Sequence, residues 1–455
     1  GLLLRPRPLC KLVPVDQPCN PAIVATSLPK SNSMNAVVAV HVGAGYHSPE
    51  KLAVYKRLCH LACRKAVAML ERPDCTALEA VSSAVVVLEN DPATNAGYGS
   101  NLTMCGNVEC DASVMDGKSL KFGAVGALPR VENPVLVAKA LCEAQTRGPL
   151  SLGRIPPCFL VGEGAFRWAQ THLHVGAGSK LVTEEARRCH TKHKKRLRLS
   201  ENCRLPEAFR SHQGSSSVNQ DRGTVAQCHS ENFSKGCDQD LVNCVASSLR
   251  AEGLDAPCGL EGKDDDCSEH SGYLLDTVGA VCLDKSGNVA AAVSSGGIWM
   301  KHSGRVGQAG VYGCGCWAEN SADGSAVAVS TSGGGEHLIK TMLARRCADA
   351  LLSAEDGATA LHECFRAGFL DSPFLQDVNE KLGGVLTLKA DAESAVCDVL
   401  WAHTTRTLCY GYMQTGGTSP KFGCSRLQAG ETVGKSVVVG GTPLRLCSPF
   451  ERDCL

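Results

Sequence analysis

The chain contains 455 residues, in which 46 lysines and arginines balance 46 aspartates and glutamates, and 44% of the residues are hydrophobic. This composition argues against a wholly basic nucleic-acid-binding protein and against an acidic disordered protein, because either would need a strong charge imbalance or far fewer apolar residues. No uninterrupted apolar run approaches the roughly 18 residues that cross a bilayer, so no membrane partner is expected.

The length and the cysteine content set broad limits on the architecture. At roughly 150 residues per domain the length predicts about three domains, although one or two are also compatible with it. The 26 cysteines are scattered through long apolar segments, which favours reduced thiols over the disulfide framework of a short secreted protein. No Cys-x-x-Cys pair occurs, so neither a metal site nor another cofactor is expected.

The first part of the chain changes character near residue 35. Residues 1–35 are rich in Pro, Ser and Asn without a sustained period, which predicts a flexible leader. The short apolar run 35–41 then predicts a buried strand, and Gly43 and Gly45 predict a tight loop after it.

Helical spacing of apolar residues follows this strand. Four helices are predicted, over 49–71, 76–90, 134–146 and 162–172. In the second, Thr76 lies three residues before Glu79, which is the spacing of a capping box. The loop that follows this helix, 94–101, contains Asn95 and two glycines, residues that tolerate unusual backbone angles.

The hydrophobic pattern then breaks down over residues 183–272, which are dominated by Ser, Cys, Asn, Gln and charged residues. Such a segment is predicted to be a disordered linker inserted into the domain. Within it, residues 187–198 include seven lysines or arginines. A run of this kind is typical of sites read by import receptors or attracted to nucleic acid, although the solvated surface of a helix remains an alternative.

From Thr277 the sequence becomes rich in small residues typical of β structure. Helices are predicted over 336–353 and 356–368, and strands near 383–389, 396–403, 408–413 and 435–440. Strands interspersed with helices, without a repeat, predict a layered domain of mixed α and β structure that the linker interrupts.

The segment 277–295 has the pattern of a β-hairpin. Its two apolar runs are joined by Asp-Lys-Ser-Gly-Asn, a turn-forming cluster. If Leu283 pairs with Val289, Thr277 lies directly opposite Ser295, and side chains in such a pair have Cβ atoms about 4.5 to 5.5 Å apart.

A threonine hydroxyl becomes an effective nucleophile when the residue's own free α-amine acts as its base. Thr277 is internal, but it follows Asp276 at the junction between the predicted linker and a hydrophobic strand. Cleavage between these two residues would release the amine and leave the strand in place.

Several motifs resemble one enzyme family. In order and spacing, the chain resembles the threonine-nucleophile asparaginase family of N-terminal nucleophile hydrolases, and within it the threonine aspartase (taspase) branch. The motifs that carry the resemblance are residues 41–48, 109–120, 153–164, 276–281, 287–292, 295–297, 304–307 and 312–320.

This resemblance implies an α+β fold built as a four-layer αββα sandwich. It implies a precursor that cleaves itself between Asp276 and Thr277 into an α segment (36–276) and a β segment (277–455), which stay associated, with a dimer of such αβ units expected. Thr277 would be the nucleophile, supported by Ser295 and Asn95. Further catalytic residues are implied in the glycine-rich loop, where the oxyanion donors would be Ser332 and Gly333.

The resemblance also implies which residues bind the substrate. Arg305 would bind its acidic end, since a planar guanidinium suits a carboxylate. Small-substrate asparaginases have an Asp three residues later to hold a free ammonium group, whereas this chain has Gln308, which tolerates the peptide nitrogen of a longer chain. Lys51 is a weaker candidate for the acidic pocket, with an exposed helix lysine as the alternative. Glycines of the proposed substrate loops complete the set: Gly43, Gly45 and Gly335.

The expected activity is therefore that of a threonine endopeptidase acting after aspartate. Its expected partners are proteins with hydrophobic-Asp-Gly sites, including nuclear regulators such as mixed-lineage leukaemia protein and the transcription factor IIA precursor. An import receptor reading residues 187–198 would place the protein in nucleus and cytoplasm, and no nucleic-acid partner is expected.

Two other functions remain open at this stage. One is an asparaginase or isoaspartyl dipeptidase, which Gln308 disfavours. The other is a nuclear scaffold with an inactive hydrolase core, which would use the basic run to bind nucleic acid or import receptors. The chain also departs from the taspase pattern at Val42 and Gly334, and it has one dense basic cluster where taspases have two.

Overall fold

The computed structural model describes residues 34–176, 181–204, 277–391 and 393–446, whose strands form two sheets. The eight-stranded sheet runs, in spatial order, β12 (Lys421–Arg426), β11 (Thr407–Gln414), β1 (Val37–Gly45), β5 (Val278–Leu283), β6 (Val289–Ser295), β2 (Glu109–Asp116), β3 (Lys121–Pro129) and β4 (Phe159–Val161). The five-stranded sheet runs β13 (Val438–Arg445), β10 (Val396–His403), β9 (Gly383–Asp391), β8 (Ser325–Gly333) and β7 (Cys316–Asn320). Neighbouring strands are antiparallel except for β3 and β4.

Helices cover the outer faces of both sheets. They are α1 (Leu52–Leu70), α2 (Ala77–Glu89), α3 (Pro134–Ala144), α4 (Gly162–Leu173), α5 (Glu184–Arg204), α6 (Gly335–Thr341), α7 (Leu343–Leu352) and α8 (Gly357–Glu363). A π-helical turn, Cys364–Leu370, continues directly from α8. In the described ranges, no helix has both the length and the apolar character that a membrane span needs.

The layers follow from the way the strands alternate their side chains. In β1, Val37 and Ala39 belong to a core that lies between the sheets and extends to α7 and α8, whereas Val38 and Val40 pack against α1 and α2. Both faces of the central strands are therefore buried, which explains their continuous runs of small apolar residues. Helices outside, with two sheets packed face to face inside, confirm the predicted αββα sandwich.

The parts of the chain before and after Thr277 are interleaved in one sheet. β1 lies between β11 and β5, and β2 pairs with β6, so each contact joins a strand from the first part to strands from the second. Three ladders of backbone hydrogen bonds thus cross the predicted cleavage point. A cut before Thr277 would leave these ladders intact.

Two local predictions are confirmed in detail. β5 pairs with β6 so that Leu283 faces Val289, the register expected for the hairpin. Thr76 caps α2 with a complete capping box, in which its hydroxyl accepts from the Glu79 backbone and the Glu79 side chain accepts from the Thr76 backbone.

Other predicted elements differ in their bounds. The single helix expected over 336–353 is divided into α6 and α7 at Met342, whose backbone is left-handed (φ 49°). The last strand, β13, begins three residues after the predicted start at 435, and β12 was not predicted. Most residues of β12 are partly exposed whichever face of the strand they lie on, so the sequence shows little of the alternation between apolar and polar residues that predicts a strand.

The predicted disordered linker is wrong at its beginning, because residues 184–204 form α5. The partly buried positions Ala186, His190, His193 and Leu197 recur at helical spacing, and the His193 ring stacks on Trp299 with ring centroids 3.9 Å apart. So few apolar residues mark this face that the period is inconspicuous in the sequence. The rest of the predicted linker, and the leader up to residue 33, lie outside the described residues.

Candidate active site

One pocket lies where the ends of β5, β6 and β8 come together. It is a small, partly open pocket lined by Asn95, Thr277, Ser295, Gly297, Ile298, Arg305, Gln308, Gly333 and Gly335. Seven of these nine residues were predicted from the sequence as site residues. The fold thus brings together side chains that are separated by more than 200 positions in the chain.

Thr277 occupies the centre of a hydroxyl network. Its Oγ1 donates to Ser295 Oγ at 3.0 Å and accepts from Gln308 Nε2 at 3.4 Å. Ser295 Oγ in turn accepts from the Gly297 amide at 3.0 Å. The facing positions predicted for Thr277 and Ser295 therefore bring their hydroxyls into direct contact, and this contact fixes the direction of the Thr277 hydroxyl.

Asn95 links the loop after α2 to the backbone beside this network. Its Nδ2 donates to the Gly297 carbonyl at 2.8 Å, and its Oδ1 accepts from the Asn101 amide at 2.9 Å. The loop can close only with glycine at position 97, where φ is +53° and an added Cβ would lie 2.6 Å from two carbonyl oxygens. In this geometry Asn95 lines the pocket and holds the segment after β6.

Arg305 forms the cationic wall of the pocket. Its guanidinium donates from Nε and from NH2 to the two carboxylate oxygens of Glu336, at 2.9 and 2.8 Å. Burial raises the pKa of the Glu336 carboxyl, but the hydrogen bonds and the charge of Arg305 outweigh this effect, so the net shift is downward. The Glu336 carboxyl is therefore ionised at neutral pH.

The backbone that carries Arg305 is tied to strand β2. Asp111, which faces Ser295 across the β2–β6 ladder, accepts from the Gly307 amide at 2.8 Å and from the Ala127 amide at 2.8 Å. Burial raises the pKa of the Asp111 carboxyl, and the nearby charge of Lys301 opposes that shift. Asp111 thus fixes the turn on which Arg305 and Gln308 lie.

The glycine-rich segment after β8 forms the opposite wall. Gly333 has φ +138°, and a Cβ there would lie 2.7 Å from the Leu382 carbonyl oxygen, so only glycine fits. Ser332 is buried, and its Oγ accepts a hydrogen bond from the Ala44 backbone amide at 2.8 Å. Ser332 does not line the pocket. Of the two predicted oxyanion donors, only Gly333 therefore lines the pocket.

A buried histidine lies beneath Thr277. His41 Nε2 is 2.8 Å from Ser330 Oγ, and burial lowers the pKa of the imidazole to about 3. Both side chains occupy the space that a Cβ at Gly279 would need, since such an atom would lie 2.0 Å from Ser330 Oγ. His41 is therefore a neutral packing partner of the strand that carries Thr277.

Known proteins resemble this chain over most of its length. The sequence profile of the asparaginase family, described as "Asparaginase", matches residues 34–420. Isoaspartyl peptidase/L-asparaginase from Mus musculus is 31% identical over 370 residues, covering 81% of this chain and 86% of that protein. The protein with the same name from Homo sapiens is 32% identical (78% and 87% covered), and isoaspartyl peptidase from Escherichia coli is 31% identical (68% and 74% covered).

The chain belongs to the asparaginase family of N-terminal nucleophile hydrolases. The αββα sandwich is the fold expected for this family, and Thr277 directly precedes β5, a central strand of the eight-stranded sheet. The pocket of this family member is therefore lined by two hydroxyl side chains in direct contact, those of Thr277 and Ser295, and by the cationic side chain of Arg305.

Some predicted site residues of this asparaginase-family hydrolase lie elsewhere. Gly43 and Gly45 belong to β1 and do not line the pocket. Lys51 is half-exposed in the turn before α1, and its ammonium is 3.5 Å from the Glu185 carboxylate of α5, so the structure does not bring it to the pocket. Asp276 lies outside the described residues.

The two departures from the taspase pattern, Val42 and Gly334, lie in different surroundings in this structure. Val42 is buried in the core between β1 and the helices, so its side chain packs away from the pocket. At Gly334 a Cβ would lie 2.7 Å from His337 Nδ1, so a cysteine there would require the imidazole to move. That imidazole nitrogen accepts from the Leu382 amide at 3.2 Å.

Sequence reasoning missed three charged residues around the asparaginase-family pocket: Glu336, Asp111 and Lys301. Lys301 is buried, and its ammonium donates to the Glu109 carbonyl. Asp111 lies within one of the motifs that carried the family resemblance, Lys301 lies between two of them, and Glu336 directly follows the glycine-rich loop. Only the tertiary contacts reveal their partners. Across the described ranges, no group of three histidine, cysteine or acidic side chains is arranged to hold a metal ion.

Proposed function

We propose that the chain is an autoprocessing threonine hydrolase that cleaves itself before Thr277 and then cleaves other proteins after aspartate. Support for the nucleophile comes from the hydroxyl of Thr277, which is held by Ser295 at 3.0 Å in a pocket that also contains Arg305. Support for processing comes from the interleaved strands, because they would hold the two products together.

Self-cleavage would proceed by an N-to-O acyl shift followed by hydrolysis. The Thr277 hydroxyl oxygen attacks the carbonyl carbon of Asp276, the carbon–nitrogen bond breaks, and the Thr277 nitrogen takes up the hydroxyl proton. Water then hydrolyses the resulting ester, which leaves a carboxylate on Asp276 and a free amine on Thr277. In later reactions this amine acts as the base for the neighbouring hydroxyl.

The single observation that favours a protein substrate is the neutral amide of Gln308 beside the nucleophile. Its Nε2 lies 3.4 Å from Thr277 Oγ1, and the residue is buried. No carboxylate belongs to the described residues that line the pocket, and nearby Glu336 is bound to Arg305. A free α-ammonium group would therefore enter without an anionic partner, whereas a peptide nitrogen carries no charge and needs none.

The second candidate function is hydrolysis of asparagine or of isoaspartyl dipeptides. The relatives support it, since those from Mus musculus, Homo sapiens and Escherichia coli carry names that state this activity. On the evidence of the relatives alone, this candidate is favoured over proteolysis. Both candidates use the same nucleophile and the same cation, and they differ in whether the substrate has a free amine.

Intact-mass analysis of the purified chain tests the nucleophile. The wild-type protein should yield pieces that end at Asp276 and start at Thr277, while the Thr277→Ala variant should remain whole. Full processing of that variant would refute the mechanism.

Substrate assays then separate the two candidate functions. Cleavage of a peptide containing a hydrophobic residue followed by Asp-Gly, without turnover of β-aspartyl dipeptides, supports the endopeptidase. The opposite pattern supports the small-substrate hydrolase. No turnover of either by a processed chain would favour the scaffold, whose binding to nucleic acid should weaken steeply with salt.

The protein substrates, the import receptor and the dimer of αβ units are parts of the same proposal. The basic residues at 187, 188, 192, 194, 195, 196 and 198 are all exposed on α5, which leaves them accessible to an import receptor. Nuclear regulators with hydrophobic-Asp-Gly sites would then be the substrates, and the protein would be found in nucleus and cytoplasm. Deleting the charges of α5 and imaging the tagged full chain in cells tests the import step.

A further inference from the structure

Arg305 is held along one edge by Glu336. The carboxylate receives hydrogen bonds from Nε and NH2, at 2.9 and 2.8 Å, in the side-on arrangement of a bidentate arginine–carboxylate pair. Arg305 is largely buried, with 14% of its side chain exposed, whereas 56% of Glu336 is exposed. The carboxylate thus approaches the guanidinium from the solvent side.

The end-on edge of the guanidinium, formed by NH1 and NH2, remains available for a ligand. Of its five N–H groups, two are used by Glu336, which leaves three, two of them on NH1. NH1 points toward the Gly297 and Gly307 backbones, since Cβ atoms built there would lie 3.0 and 2.7 Å from it. Among the described residues, no second acceptor side chain is bonded to Arg305.

The Glu336–Arg305 pair also joins two separate walls of the pocket. Arg305 lies in the segment after β6, which Asp111 ties to the eight-stranded sheet, while Glu336 lies in the first turn of α6, directly after the glycines that follow β8. A surface ion pair contributes little to stability by itself. The Glu336–Arg305 pair matters for binding because it spans the two walls of the pocket, and these walls must be held at a fixed separation for a substrate to contact both.

We propose that Glu336 is a positioning residue that determines the preference for an acidic substrate. By binding the Nε edge, it holds the Arg305 guanidinium so that the NH1–NH2 edge faces the pocket and receives the substrate carboxylate end-on. The substrate and Glu336 then occupy different edges of the same guanidinium. This proposal rests on the proposed function for the presence of a carboxylate in the substrate.

The test compares Glu336→Gln with Asp349→Asn, a control that removes a similarly exposed carboxylate from an ion pair on α7. Asp349 is 52% exposed and pairs with Arg345 at 2.8 Å. Each processed enzyme is assayed on an Asp-Gly peptide and on its Asn-Gly counterpart. For Glu336→Gln, KM for the Asp peptide should rise about tenfold with kcat changed less than about twofold, because ground-state binding is lost.

The preference for Asp over Asn should fall by a similar factor, and the control should match wild type in both respects. An unchanged KM in Glu336→Gln would overturn the proposal. So would a lower KM, which would mean that Glu336 competes with the substrate for Arg305. If thermal unfolding shows that the Gln variant is destabilised, Glu336→Ala is measured with the same expected shift.

A double-mutant cycle shows whether Glu336 acts through Arg305. Glu336→Gln should have little further effect on KM in an Arg305→Lys background, whereas additive effects would refute the coupling. If the wild-type chain turns over β-aspartyl dipeptides and not Asp-Gly peptides, the proposed function fails. The same cycle on the dipeptide, which also carries a carboxylate, then tests Glu336 separately.

Discussion

Replacing Gln308 by Asp should create the ammonium site that the pocket lacks. Gln308 is buried and lies 3.4 Å from Thr277 Oγ1, so a carboxylate at this position would be close to the α-ammonium of a small substrate bound by Arg305. Asparagine at the same position is the matched control, because it has the shape of Asp without its charge. The comparison between the two variants therefore isolates the electrostatic contribution.

The magnitude follows from the distance between the charges. Two unit charges about 5 Å apart attract by about 3 kcal/mol at an effective dielectric constant near 20. Burying the new carboxylate offsets part of this attraction, as the raised pKa of nearby Asp111 illustrates. A net gain of about 1.4 kcal/mol would remain, which corresponds to about tenfold in kcat/KM.

The assay measures kcat/KM at pH 7.5 for a β-aspartyl dipeptide and for its N-acetylated form, which lacks the ammonium charge. Gln308→Asp should exceed Gln308→Asn by about tenfold on the free dipeptide and should show no advantage on the acetylated one. Equal rates for the two variants on the free dipeptide would refute the assignment of Gln308 to the position that discriminates substrates.

Two further predictions concern the support of the site. Gly97→Ala should destabilise the fold by about 3 kcal/mol or more, because its Cβ would lie 2.6 Å from the carbonyl oxygens of Glu89 and Glu132 at positive φ. Urea unfolding measures this loss, and Gly148→Ala is the control, since Gly148 has φ +81° but open space around it; equal losses would contradict the steric argument. His41 has a pKa of about 3 in the fold against 6.5 when unfolded, so the unfolded chain binds the extra proton and stability falls as the pH drops below 6.5. His41 by itself should contribute a loss of about 1.4 kcal/mol between pH 8 and pH 5.5, so unfolding measured at both pH values should show an acid effect that differs by about this amount between wild type and His41→Asn; an equal acid effect in the two proteins would refute the assignment to His41.

The local predictions succeeded where a short-range rule decides the structure. The capping box of α2 depends on two residues three positions apart, and the β5–β6 register depends on one turn and the alternation around it. That register placed Thr277 opposite Ser295, so the pair at the centre of the site followed from local geometry. The family motifs extended this pair to Asn95, Arg305 and Gln308, which the pocket unites.

The errors arose where distant contacts outweigh local pattern. α5 has an apolar face too sparse to be noticed, and it is positioned by contacts with partners such as Trp299, more than 100 residues away. Lys51 looked suitable for an acidic pocket by its charge, but its ammonium lies beside the carboxylate of Glu185 in α5, more than 100 positions away in the sequence. No local rule connects either pair.

The sequence by itself determined the hairpin that presents Thr277 and the membership of an asparaginase-like family, because turn residues, strand alternation and ordered motifs are all written along the chain. Only the tertiary structure decided that Glu336 binds the edge of Arg305 and that Asp111 ties the turn beneath it. These contacts join residues from different strands and helices. The geometry of these contacts depends on how the two sheets pack against each other, and the spacing of residues along the chain does not specify that packing.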